Sequence, residues 1–513
     1  GAPRVADGDG NGIASVDLGA VEAIPAIVTS TADSGAGSLR AALSAPSADV
    51  VLFDPALGGQ TITLTSGQLT PGRSLGIDAS ALPGGITISG NSDGDNVLEA
   101  GESRLLEIPA GLAVALRGLR LTNGMADPAS DLPSGEGGAI RNSGQLTLDL
   151  CTLSACRSKR GGAINSTGVL TVGRSTFQQN NATFGGGIHS TGNGLLAVAD
   201  TTFLMNTALA GRGGAVLEND ADSPPGHPTL TRCTFHGNAA SLGGAVDSFS
   251  LTNLIHCTLS DNSAGNIGGG VLASSTSVVT LTNCVVAGNT NTSGSSPNLG
   301  SESTGFYTTA GVNLVGDLNG SGLSAGPTLL TGDPLLAPLG DYGGPTQTRA
   351  LLPGSPARNA AAILSPAVIA DQRGFPITGV LPDIGAYETG TFTDYDSWIY
   401  ETLPGTATPQ QRAAAFDFDG DGQTNEKEWV ARTDPGSANS CFRVTQAAFS
   451  GGMWQITIPT VPGRRYILQT SPNLVDWTGG SSHLAVGGSH TFTTNFFPPV
   501  PSAGFYRVLV SDP

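Results

Sequence analysis

The stretch GGAINSTGVLTVGRSTFQQN (161–180) is followed by GGGIHSTGNGLLAVADTTFLMN (185–206), and the two share one frame. A Gly-Gly-(Ala/Gly)-(Ile/Val) tetrad comes first, then short runs of alternating apolar and polar residues, then Asn. The tetrad recurs at 137–140, 161–164, 185–188, 213–216, 243–246 and 268–271. Between and after the tetrads run LTLDLCTLSAC (146–156), LTVGRSTFQQN (170–180), LAVADTTFLMN (196–206), PTLTRCTFHGN (228–238), LTNLIHCTLSDN (251–262) and LTNCVVAGN (281–289). Alternation with period two and β-branched enrichment is strand grammar, and Asn is a turn former. A near-constant repeat of strands without a helical stretch predicts one turn of a parallel β-helix per repeat. Leucine-rich repeats would need an LxxLxLxxN line, and propeller blades need about 40 or more residues.

Stacked coils place equivalent residues in rows about 4.8 Å apart. Cys151, Ser175, Thr201, Cys233, Cys257 and Cys284 form one row. Two residues on, Leu153, Phe177, Phe203, Phe235, Leu259 and Val286 form a second, on the same face by period two and inside by their size. Cys156, Asn180, Asn206, Asn238, Asn262 and Asn289 form a third, read as a polar ladder that satisfies bent backbone. The tetrad glycines are expected to supply positive φ or close coil-to-coil approach. The row cysteines read as free, buried thiols, and no Cys/His spacing suggests zinc.

Strand-like runs continue upstream (61–69, 75–80, 86–90, 104–108, 114–124) and downstream (311–316, 326–339), for ten to twelve coils in all. Ser38 is placed to cap a short helix at 38–43 that covers the open end, and 290–310 reads as a surface loop. The composition agrees with a β-solenoid: 74 Gly, 12% charged residues and two lysines, Lys159 and Lys427. A net charge of −18 speaks against nucleic acid and anionic membranes as partners. The sequence has no apolar run long enough for a membrane-spanning helix.

The paired motifs GGA[I/V] and TFxxN, the latter as TFQQN (176–180), TFLMN (202–206) and TFHGN (234–238), resemble repeats of chlamydial polymorphic outer-membrane proteins. VTSTADSGAGSLRAAL (28–43) is similar to the segment that opens the β-helix of many bacterial secreted repeat proteins. LGDYGGPTQTRALLPGSPARNAA (339–361), DQRGFP (371–376) and DIGAYE (383–388) resemble the choice-of-anchor module that closes it. The resemblance covers about 27–388 and implies a β-helical rod, an extracellular or cell-surface location and an adhesive or structural role, without implying a reaction. No C-terminal array of membrane strands follows, so the export route of the polymorphic proteins is not implied.

After 388 the composition shifts. The stretch TPQQRAAA (408–415) reads as helical, with Thr408 as cap. DFDGDGQTNEKE (417–428) matches a twelve-residue calcium loop: Asp417, Asp419 and Asp421 at positions 1, 3 and 5, and Gly422 at the turn. Gln423 would offer its carbonyl, Asn425 would act directly or through water, and Glu428 would close the sphere. This linker, 389–440, resembles dockerin or thrombospondin type 3 calcium loops. The strands of 441–513 predict a small antiparallel β-sandwich, with Trp477 as a core or edge aromatic.

The chain opens with DGDGNGIASVDLGAVE (7–22). Its VDLGAVE (16–22) aligns with PDIGAYE (382–388), so residues 1–26 read as the end of a preceding module of a longer secreted array. Asp7, Asp9, Asn11 and Asp17 form a second, weaker calcium candidate, because Leu18 stands at position 12. For catalysis, a lyase needs a base and a glycosidase needs close carboxylates. The position after the tetrad reads Arg141, Asn165, His189, Leu217, Asp247 and Leu272, a mixed outward row. Arg157, Lys159 and Arg160 form a basic corner, and His236 and His256 read as exposed. No catalytic residue is assigned. The expected function is a calcium-stabilised surface rod with a glycan or surface-protein ligand, and the alternative is a polysaccharide lyase or glycoside hydrolase.

Overall fold

A computed structural model describes residues 25–511 apart from 47, 92–102, 128, 132, 193, 220–226, 366, 378, 391, 393 and 496–504. The chain divides into two compact units at Thr391/Phe392. The first is a right-handed parallel β-helix of about 10 turns. Three parallel sheets form its walls. The first wall has 11 strands, from Pro25–Val28 to Phe306–Ala310, and the second has 11, from Thr61–Thr63 to Leu329–Leu330. The third has 8, from Leu106–Ile108 to Leu299–Ser301, and a four-stranded parallel sheet begins at Thr207–Arg212.

The repeat period sets this register. Phe177 pairs with Phe203 and Phe203 with Phe235. All three are fully buried, and their rings stack at centroid separations of 5.0 and 4.8 Å. Each Asn of the third row donates to a main-chain carbonyl of the preceding coil and to the next Asn of the ladder. Asn206 Nδ2 gives hydrogen bonds to Phe177 O and to Asn238 Oδ1, both at 2.9 Å, while its own Oδ1 accepts from Asn180 N and Nδ2. The ladder ends on Asn298. The six cysteines are free, five of them buried.

The two tetrad glycines have separate reasons. Gly161 has φ +66°, and a Cβ on Gly162 would lie 2.1 Å from Gly186 O of the next coil. Other corners lack glycine and hold ordinary residues in the left-handed region, such as Arg174 at φ 46° and His256 at φ 48°.

At the N-terminal end, Ser38 caps helix Leu39–Ser44 by accepting from Ala41 N, and Leu39 and Leu43 are buried against the core. The described residues of 336–388 pack on the outer face of the second wall. Gln372 Nε2 donates to Thr202 Oγ1 and its Oε1 accepts from Thr234 Oγ1, while Ala386 N donates to Thr258 Oγ1. Arg373 is enclosed between the rings of Phe375 and Tyr387, at 4.5 and 3.7 Å, and pairs with Asp371.

Three expectations are corrected. Residues 290–310 continue the solenoid: Phe306–Ala310 pairs with Val278–Thr282, and Leu299–Ser301 extends the third wall. The Ser and Asn side chains there bond one another instead of facing only solvent. Residues 408–415 form turns, in which Thr408 Oγ1 accepts from Gln411 N without a helix following. The row after the tetrad is buried at Asn165, His189, Leu217, Asp247 and Leu272, and His256 is buried too.

The second unit has helices Tyr395–Thr402 and Asn425–Ala431, joined through a cluster of Trp398, Ile399, Leu403 and Trp429. Two antiparallel three-stranded sheets follow and share a core of Ile456, Ile458, Tyr466, Leu468 and Phe492. Thr478–Leu484 is a strand that its Gly/Ser composition hid.

Candidate functional site

The loop 417–428 is built by its own aspartates. Asp417 accepts from Gly420 N through Oδ1 (2.8 Å) and from Gly422 N through Oδ2 (2.9 Å). Asp419 Oδ1 accepts from Asp421 N and Asp421 Oδ1 from Gln423 N. These local bonds turn the chain, helped by φ +93° at Gly422. One oxygen from each of Asp417, Asp419 and Asp421 lies within 4.8 Å of the others.

The remaining oxygens carry the argument. Oδ2 of Asp419, Oδ2 of Asp421, Oδ1 of Asn425 and Oε2 of Glu428 are all buried with no hydrogen-bond partner. Among the described residues no Lys, Arg or His makes an ion pair with these acids. Burial, then the charge of Asp419, pushes the Glu428 carboxyl up to about 7, and burial and the neighbouring carboxylates raise Asp419. Buried carboxylate oxygens without a partner are costly. An all-oxygen donor set around one tight turn suits a hard divalent cation of calcium size.

The fit is specific by residue. Gln423 commits its side-chain amide to Phe442 O (3.3 Å), which matches ligation through its main-chain carbonyl. Asn425 Nδ2 donates to Gln411 O and Ala413 O, holding the loop against the preceding turns and leaving Oδ1. Glu428 opens the C-terminal side from helix Asn425–Ala431 and stands outside the close aspartate trio. Asp7, Asp9, Asn11 and Asp17 lie outside the described residues.

On the third wall the structure assembles a groove that the sequence left as a scattered row. Its volume is about 290 Å³, and its lining includes Glu136, Arg160, Phe184, His189, Arg212 and Phe249. His189 Nδ1 donates to Asn165 Oδ1 at 2.7 Å, which leaves Nε2 as an acceptor. Burial, then the charge of Arg160, pushes the imidazole pKa down to about 3. Arg212 is the residue that sequence reasoning missed. It reaches Asp247 and Glu302, both at 2.6 Å, across several coils, and its guanidinium lies over the Phe249 ring. Burial raises the Asp247 carboxyl to about 6 against the pull of Arg212. The signal was its place just before a tetrad, in corner register with Arg160 and Phe184.

A family model described as a right-handed β-helix region matches residues 133–290. That span contains the six tetrads, the Asn ladder through Asn289 and most of the groove. No curated protein matches the chain.

Two further places on this β-helix hold ionisable groups. A cleft of about 530 Å³ near its C-terminal end is lined by Asp261, Asp317, Asp333 and Arg349, among others. Arg349 pairs with Asp261, and Asp317 accepts from Asn319 through both oxygens. His256 is held neutral: Asn283 Nδ2 donates to its Nε2 at 2.9 Å, and burial pushes its pKa down to about 4.

Proposed function

We propose that the chain is a structural and adhesive β-helix rod, secreted or held at the outer cell surface, whose C-terminal unit folds around calcium. The scaffold half is carried by one observation: acidic side chains on the described walls are tied to guanidinium groups. Asp149 pairs with Arg117 and Arg174, Asp200 with Arg232, Asp247 with Arg212, and Asp261 with Arg349. Such pairs fasten one coil to the next and leave few free carboxylates for acid–base work. The calcium half is supported by the unpartnered oxygens of 417–428. Extracellular calcium is abundant enough to fill even a weak loop. A surface location fits the acidic exterior, and the partners in this reading are a glycan or a surface protein, with preceding modules of the same polypeptide.

The specific observation that favours the alternative, a polysaccharide lyase or glycoside hydrolase, is the cleft with Asp261, Asp317 and Asp333. One experiment separates the readings. The full chain, with calcium, is incubated with a panel of extracellular polysaccharides, and both adsorption and new reducing or unsaturated ends are measured. The scaffold reading expects adsorption without product. Product that disappears in Asp317→Asn or Asp333→Asn would replace it with the enzyme.

A further inference from the structure

The groove on the third wall has hydrogen-bonding capacity that the fold does not use. Its charges close on one another: Arg160 pairs with Asp131, Glu136 with Arg141, and Arg212 with Asp247 and Glu302. After these pairs, Nε of Arg160, Nη1 of Arg212 and Nε2 of His189 have no partner among the described residues. The first two donate and the third accepts. Phe184 and Phe249 add apolar surface beside them.

We propose that this groove is a binding subsite for one uncharged sugar ring of a glycan. A volume of about 290 Å³ has room for a ring of that size but not for a long chain segment. Hydroxyl groups both give and take hydrogen bonds, so one ring can satisfy two N–H donors and one imidazole acceptor together. A carboxylate has no proton to offer His189 Nε2, and the self-neutralised ion pairs leave little net charge to attract one. His189 is held by Asn165 in the tautomer that presents Nε2. An imidazole that stays neutral down to about pH 3 is a poor base at neutral pH, so it holds a hydroxyl without drawing off its proton. His189 therefore serves the ring as a hydrogen-bond acceptor. This inference rests on the binding half of the proposed function and assigns it a place and a ligand class.

Saturation-transfer NMR on the full chain tests it, with the methyl glycosides of glucose, galactose and mannose as neutral probes and methyl glucuronide as the acidic one. At millimolar concentration at least one neutral glycoside is expected to receive saturation. The transfer should fall by about fivefold or more in His189→Phe, which keeps a ring and removes the acceptor. If that variant fails to fold, Thr191, which also lines the groove, offers a second test: Thr191→Trp fills the space, leaves His189 and Asn165 unsubstituted, and should abolish the transfer. No transfer to any neutral probe, transfer to the glucuronide alone, or transfer unchanged in Thr191→Trp would each overturn the proposal. Cleavage of a polysaccharide would overturn the scaffold reading without touching this result, so the two failures are distinguishable.

Discussion

The Asn ladder of the second-wall corner and the loop 417–428 are both rows of short polar side chains turned inward, yet they end differently. In the ladder every amide finds its partner one coil away: Asn206 bonds Phe177 O, Asn238 and Asn180, and the series ends on Asn298. In the loop Asp419, Asp421, Asn425 and Glu428 each keep a buried oxygen with none. Repetition supplies a partner because every coil offers the same donor and acceptor at the same height. A single loop has no second copy, so its oxygens wait on something from outside. The ladder is complete within the chain, and on the proposed reading a cation completes the loop.

The sharpest break of that comparison is inside the ladder. Asn206→Leu fits the corner in size but leaves Phe177 O and Asn180 N buried without partners, at about 1–3 kcal/mol each. We expect a loss of about 2–6 kcal/mol in denaturant unfolding of the β-helix, whatever the calcium concentration. Next in size is calcium itself. Saturating calcium at 100 to 1,000 times its dissociation constant should stabilise the C-terminal unit by about 3–4 kcal/mol and leave the β-helix transition in place. Calorimetry of the full chain with calcium and then with chelator reads both transitions, and an unmoved C-terminal one removes the cation from the loop. Smaller again is Glu428→Gln. It should weaken calcium at least about tenfold, about 1.4 kcal/mol, yet raise the melting temperature of the calcium-free unit because a buried, repelled carboxylate is gone.

These experiments probe what the sequence did and did not disclose. The coil period, the Phe stack and the Asn ladder were legible because each repeats, and repetition turns a weak local pattern into a register. The tight turn of 417–428 was legible because its aspartates and glycines follow one another in the chain. The groove was not: Arg212, Asp247 and Glu302 come from separate coils whose lengths vary, so no fixed spacing marks them. The burial of His189 and His256 was missed for a related reason. Period two gives the side of the wall, and side chains arriving from other segments decide whether that side meets water. Residues 290–310 failed through composition, since Ser, Asn and Gly there complete a coil whose partners had already fixed its path.

The smallest effect is the most discriminating, because pH acts on the two units with opposite sign. His189 and His256 are held neutral in the β-helix, with pKa values of about 3 and 4 against about 6.5 unfolded. A pKa lowered by folding means the unfolded chain binds more protons, so this contribution is full above pH 6.5 and is lost as pH falls. Asp247, raised to about 6, works the other way and offsets part of it. In the calcium-free C-terminal unit Glu428 is raised to about 7, so the folded form keeps a proton that the unfolded chain has released, and stability grows as pH falls from 7 toward 4.5. His490, lowered by burial and by His483 stacked at 3.6 Å, opposes it. In chelator, moving from pH 7.5 to 5.5 should therefore lower the β-helix transition and raise the C-terminal one, each by a few degrees at most. Calcium should reverse the second sign, since protons then compete with the ion for Glu428. Glu428→Gln removes that carboxyl and leaves the raised Asp419 and the lowered His490 to oppose each other, so its calcium-free transition should rise with acid less than the parent's. If parent and variant move together, the charge of Glu428 does not govern the loop, and the contrast with the self-sufficient ladder loses its electrostatic basis.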